Sequence, residues 1–145
     1  MTRYRLEFIV DRLPPLPNET MYRHWAVKRK IAQDWKQLIY LSVLDAGVPV
    51  KPLRFARVTL TRCSSRRPDW DNLASSFKHV LDGLIEARVL EDDSPNHIGC
   101  PLYQWRKTTQ KAGHIVVCVE EINEIYISAS GPGDGVVCEG RPVPG

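Results

Sequence analysis

The sequence has little with which to cross a membrane, bind zinc or cradle a nucleotide. No apolar run in its 145 residues approaches the roughly 20 that a bilayer-spanning helix needs. A secretory leader is not expected, since Arg3, Arg5 and Glu7 interrupt the first ten residues. Cys63, Cys100, Cys118 and Cys138 have neither zinc-ligand nor disulfide-framework spacing. Three of them sit in apolar or strand-like surroundings that suit small core residues, and a reducing cytoplasm is the natural setting. The four histidines form no zinc pair; His24 is the best placed for a substrate role, and His79 lies off the face of its neighbour Lys78. Glycine-rich phosphate loops are missing as well, because the only dense glycines neither follow a strand nor precede a helix. Internal repeats are also absent.

What is there suffices for one domain. The length and the 43% of hydrophobic residues support a single core. The net charge of +3 hides an asymmetry: residues 120–145 hold five acids against Arg141 alone, which leaves nineteen basic and twelve acidic side chains, a balance of +7, on residues 1–119. A basic body favours an acidic partner, nucleic acid first among them.

Patterning predicts an α+β fold, a small mixed β-sheet of about four strands flanked by two main helices. Residues 3–11 alternate as a first strand. Pro14, Pro15 and Pro17 make 13–18 a loop. A helix follows from about Thr20 to Ala46, with Val27, Ile31, Trp35, Leu38 and Leu41 or Ser42 on its apolar side and Gly47 as its stop. Leu53–Thr61 reads as a second strand, Ile98–Lys107 as a third and Gly113–Glu121 as a fourth, the last two joined by a polar hairpin turn over Thr108–Ala112. The apolar run Ile115–Val119 marks the fourth strand as central. Residues 1–127 form the expected domain; 128–145, with five glycines, three prolines and no periodicity, form an expected flexible tail.

The densest chemistry lies in residues 66–94. Asp69 and Asp71 stand two apart before an amphipathic run, and Asp92 and Asp93 stand just after it. At 100° per residue from Asp71, the residues Leu73, Phe77, Val80, Leu81 and Leu84 occupy one apolar arc of roughly 100°, while Lys78 and Asp82 fall within about 20° of Asp71. One helix from Asp71, with Asp71 as its N-cap, therefore carries acid, base and acid along its polar side. Asp69 and Asp71 are expected on one side of an extended entry to it, about 6–7 Å apart at Cα. If the chain folds the second acidic pair back beside the first, the carboxylates suit a hard oxygen-seeking cation such as Mg²⁺. Arg62, Arg66 and Arg67 lie just upstream, where a polyanion could be held. On the first helix Lys28 and Arg29, joined to Tyr22, Arg23 and His24, form a second basic surface able to contact phosphates and stack on bases.

The segment Arg67-Pro68-Asp69-Trp70-Asp71-Asn72-Leu73, with Lys78, Asp82-Gly83-Leu84 and Asp92-Asp93-Ser94, resembles the RusA family of Holliday junction resolvases. Pro14-Pro15, Asn18 and Tyr22-Arg23-His24 are similar to that family's early loop, so the resemblance spans roughly residues 4–120. It implies a Mg²⁺-dependent endodeoxyribonuclease, with Mn²⁺ as a substitute, that resolves four-way junctions by paired symmetric nicks in recombination and repair. Asp69, Asp71 and Asp93 would be the metal ligands and Lys78 the assisting lysine; Asp92 could stand in for Asp93. Arg23, Lys28, Arg29, Arg66 and Arg67 would contact the DNA backbone, and the active form would be a homodimer. One departure stands out: Lys78 is seven residues past Asp71, about one helical turn later than in the better-known members, with Ala74-Ser75-Ser76 as the extra length. The alternative is a non-catalytic basic module that binds branched or single-stranded DNA, its aspartates serving only as caps.

Overall fold

A computed structural model describes residues 4–123; the expected tail at 128–145 lies outside them. The elements run β1 (Arg5–Val10), α1 (Pro17–Thr20), α2 (Trp25–Ala46), β2 (Ala56–Ser64), α3 (Trp70–Ser76), α4 (Lys78–Glu86), α5 (Pro95–Ile98), β3 (Leu102–Lys107) and β4 (His114–Glu121). The four strands form one mixed sheet in the order β1-β4-β2-β3. β4 is antiparallel to both β1 and β2, whereas β2 and β3 run parallel. This is the expected α+β class, and β4 is the expected inner strand.

The sheet buries one face. In β1, Leu6, Phe8 and Val10 point into the core while Arg5, Glu7 and Ile9 are exposed. Ile115, Val117 and Val119 continue the buried row on β4, with Val58 and Leu60 on β2. Trp35, Ile39 and Val43 of α2 and Val80, Leu81 and Leu84 of α4 close over it. The two helices meet most tightly at Gly83, where an added Cβ would stand 2.7 Å from Cβ of Ile39. The buried row of α2 is thus spaced by fours from Trp35. Of the stripe expected there, Ile31 and Leu38 are only partly buried, and Val27 and Leu41 are exposed.

α4 ends in a Schellman arrangement: Val89 N–H donates to the Leu84 carbonyl and Arg88 N–H to that of Ile85, 3.0 Å each. Arg88 takes the left-handed position that glycine usually fills, at φ 62°. The chain then bridges Leu53, whose N–H and carbonyl bond to Val89 and Glu91, before it reaches Asp92.

Several expectations are corrected. β3 and β4 do not form a hairpin, because β2 lies between them and the 108–113 connection passes over its end. Pro17 opens a one-turn helix instead of excluding one, since its missing N–H has no partner at a first helical position anyway. The helix expected from Thr20 starts at Trp25, capped by His24, whose Nδ1 accepts the Ala26 N–H at 3.2 Å. The second strand runs three residues later than expected, to Ser64. The third begins only at Leu102, after Pro95 initiates α5 and Gly99 ends it at φ 61°.

Candidate functional site

The site grows from the C-terminal end of β2, the end of a parallel pair where the loops of such units gather ligand-binding groups. Ser64 anchors the exit: its hydroxyl donates to the Arg66 carbonyl at 2.7 Å and accepts from Trp105 Nε1 at 2.9 Å. Ser65, Arg66 and Arg67 are exposed on the loop that follows. Arg62 is not on that surface. It is buried, and its Nη1 donates to the Pro14 carbonyl at 2.6 Å, pinning the proline loop to β2. Loss of hydration lowers its pKa, an effect that Glu19 partly offsets.

Asp69, not Asp71, is the N-cap of α3. Its backbone is extended, its carbonyl accepts the Leu73 N–H at 2.9 Å, and its side chain makes no capping bond. Asp71 lies within the first helical turn, so the two carboxylates do not share one side of a strand as expected. Both are exposed, and among the described residues neither takes part in a side-chain hydrogen bond or an ion pair.

The single expected helix is two. Ser76 Oγ donates to the Leu73 carbonyl at 2.7 Å, and Phe77 N–H turns back to Ala74 at 3.2 Å. A serine hydroxyl that captures a helix carbonyl competes with the backbone for it. Phe77 then sits at φ −91°, ψ 3°, and α4 starts afresh at Lys78. The break falls directly after Ala74-Ser75-Ser76. Lys78 is 71% exposed and lies 3.9 Å from Asp82. At that exposure the pair contributes a few tenths of a kcal/mol to stability and leaves the ammonium mobile.

On the far side of α4 the two remaining acids divide their roles. Asp92 Oδ1 accepts the Asp93 N–H at 2.9 Å, and that bond, ahead of Ser94 and His97, pulls the Asp92 carboxyl below its ordinary pKa. Asp92 thus builds the turn. Asp93 is half-buried and lies close enough to Tyr103 for its charge, after burial, to raise the phenol pKa.

Tyr103 was not legible as a site residue, and it links the two ends. From β3 its ring stacks on Phe77 at 6.0 Å between centroids and makes a T-shaped contact with Trp70, the residue between Asp69 and Asp71, at 6.1 Å. Trp70, which stands between the exposed Asp69 and Asp71, therefore packs on the same side chain whose phenol feels the charge of Asp93. The acids are not gathered into a closed cage: among the described residues no group of three or more His, Cys, Asp or Glu is placed to hold a metal ion. Carboxylate oxygens are hard donors, the kind that Mg²⁺ takes while keeping several of its waters.

The expected DNA contacts occupy two surfaces. Arg66 and Arg67 flank the site itself. Arg23, Lys28 and Arg29 lie on the α1–α2 connector and the first turns of α2, all exposed. α1, just before that second surface in the chain, packs against α3. Among the described residues no helix is long and apolar enough to cross a membrane. No protein-family model matches the chain, and no curated protein matches it.

Proposed function

We propose that this chain is a Mg²⁺-dependent endodeoxyribonuclease of the RusA type, which cuts four-way DNA junctions by paired nicks during recombination and repair. The observation that supports the reading is the place of Tyr103: Trp70, set between Asp69 and Asp71, packs on its ring, and the charge of Asp93, from the other end of the helical pair, adds to burial in raising its pKa. Asp69, Asp71 and Asp93 are the residues that would hold the ion; Asp92 would support the turn and not serve as a ligand. Bound Mg²⁺ would supply an activated water and offset charge on the leaving oxygen. Mn²⁺ would substitute for it.

The chain's own groups have separable tasks. Asp69 and Asp71 repel a phosphate until a cation offsets them, which makes substrate placement depend on the metal. Lys78, loosely paired with Asp82, can swing its ammonium toward the charge that builds on the scissile phosphate. Arg66 and Arg67 hold the strand entering the site, and Arg23, Lys28 and Arg29 hold the adjoining backbone, so binding falls as salt rises. A symmetric junction calls for two sites related by a two-fold axis, hence a homodimer with one site per subunit.

The deciding experiment replaces Asp71 with Asn and assays a labelled junction in Mg²⁺. Loss of cleavage with binding retained supports the enzyme. Unchanged cleavage refutes the ligand assignment. A wild-type protein that binds junctions but cuts none in Mg²⁺ or Mn²⁺ would establish the alternative, a non-catalytic module for branched or single-stranded DNA.

A further inference from the structure

Every residue from Met21 to Lys30 is exposed, and the first buried residue of α2 is Trp35. The beginning of α2 and its connector thus stand clear of the core. Such a segment would ordinarily be polar on all sides. Here Tyr22 is 91% exposed, Trp25 66% and Met21 55%. Leaving aromatic surface in water forgoes much of the stabilisation that burial gives, so large rings held out in this way mark a binding surface.

The charges around them select the partner. Arg23, Lys28, Arg29 and Lys30 are interleaved with the rings, and no acid occurs from 21 to 30. The segment is braced as well as exposed. His24 caps α2 through Ala26 N–H, its ring lies 5.5 Å from that of Trp25, and Lys28 Nζ donates to the Met21 carbonyl at 3.2 Å. His24 thus has a structural task through Nδ1 as the cap of α2. Rings held at fixed positions among cations match a strand whose bases are unpaired, because every base offers a π-face and every step a phosphate. A duplex hides its base faces and would meet only the cations.

We infer that Tyr22 and Trp25 form a stacking platform for unpaired DNA bases, with Arg23, Lys28 and Arg29 on the phosphates of the same strand. α1, which immediately precedes the platform in the chain, packs on α3, the helix that carries Asp71. This deepens the proposed function, on which it rests for the choice of DNA.

The test uses the full chain in EDTA, so that no cleavage occurs and the outcome is independent of Asp71. A fluorescently labelled oligo(dT) is compared with an abasic strand of equal length and charge, by anisotropy and by quenching of tryptophan emission. Tyr22→Ala and Trp25→Ala should each weaken oligo(dT) binding about tenfold and leave abasic binding unchanged, as loss of one stacked base predicts. Trp25→Phe should retain affinity and lose most of the quench, which separates Trp25 from the other exposed tryptophan, Trp70. Lys28→Ala should weaken both strands alike. Equal affinity of the wild type for the two strands overturns the platform. So does a Tyr22 or Trp25 variant that binds oligo(dT) normally, or one whose only defect is the loss of a dimer in sedimentation.

Discussion

The indole of Trp70 meets the ring of Tyr103 edge-on, 6.1 Å between centroids and 80° between planes. The contact joins the first turn of α3 to β3, and so ties the segment of Asp69 and Asp71 to the strand whose Tyr103 feels the charge of Asp93. Tyr103→Leu keeps bulk in the core and removes that tie. On the proposed function, Mg²⁺-dependent junction cleavage should fall by up to about a hundredfold, as small displacements of positioned groups do. Tyr103→Phe should cleave nearly as the wild type. Equal rates for both variants, with equal melting temperatures, would reduce Tyr103 to a packing residue.

Gly83→Ala tests the closest approach of the two main helices. The added methyl would stand 2.7 Å from Cβ of Ile39, on a branched, fully buried side chain that cannot swing away. The helices must part, at an expected cost of about 1–3 kcal/mol in urea unfolding despite alanine's better helix propensity. A second change, Ile39→Gly in the same chain, which removes that Cβ, should recover part of that methyl's effect; simple addition of the two losses would place the clash elsewhere.

Arg88→Gly should stabilise the fold. Arg88 holds φ 62° at the end of α4, where a Cβ costs about 1–2 kcal/mol, and its side chain is exposed. Some of that gain is lost to the wider freedom of glycine when unfolded, so a net rise near 0.5–1 kcal/mol is expected. Arg88→Ala should not reproduce it.

His79 predicts a pH dependence. Burial lowers its pKa below 6.5, with Lys36 and Lys78 acting in the same direction and Asp82 against them, and its Nδ1 is buried without a partner. The unfolded chain therefore takes up this proton more readily than the folded one. The contribution is fully present above about pH 6.5 and is lost as pH falls through the lower folded-state value. Urea midpoints measured from pH 8 to 5 should fall more steeply for the wild type than for His79→Gln; parallel curves would contradict the burial effect.

Residues in local patterns were legible in the sequence, and residues placed by pairing were not. The alternation of β1, the apolar run of β4 and the glycine stop of α2 all repeat within a few positions, and each appears where expected. Strand order depends on partners far apart, so the insertion of β2 between β3 and β4 left no local mark. Arg62 is chemically the same residue as Arg66; only the register that turns it under the Pro14 loop makes it structural. Asp69, Asp71 and Asp93 could be singled out by spacing around one amphipathic unit. Tyr103 could not, because its place depends on lying opposite Leu60 in a parallel pair. The break at Phe77 had a faint signal in Ser75-Ser76, which the apolar periodicity across both helices concealed.

β4 also dictates when the molecule can come together. Among the described residues β1 pairs only with β4, Arg5 facing Glu120 across nearly the whole described chain, and β2 borders β4 on its other side. As the polypeptide emerges from the ribosome, β1 and its apolar row must wait, unpaired, until residues 114–121 have been synthesised. A chain interrupted before His114 would keep every helix described here yet have no strand on which to close its sheet, and the nascent protein is most exposed to aggregation and proteolysis in that interval.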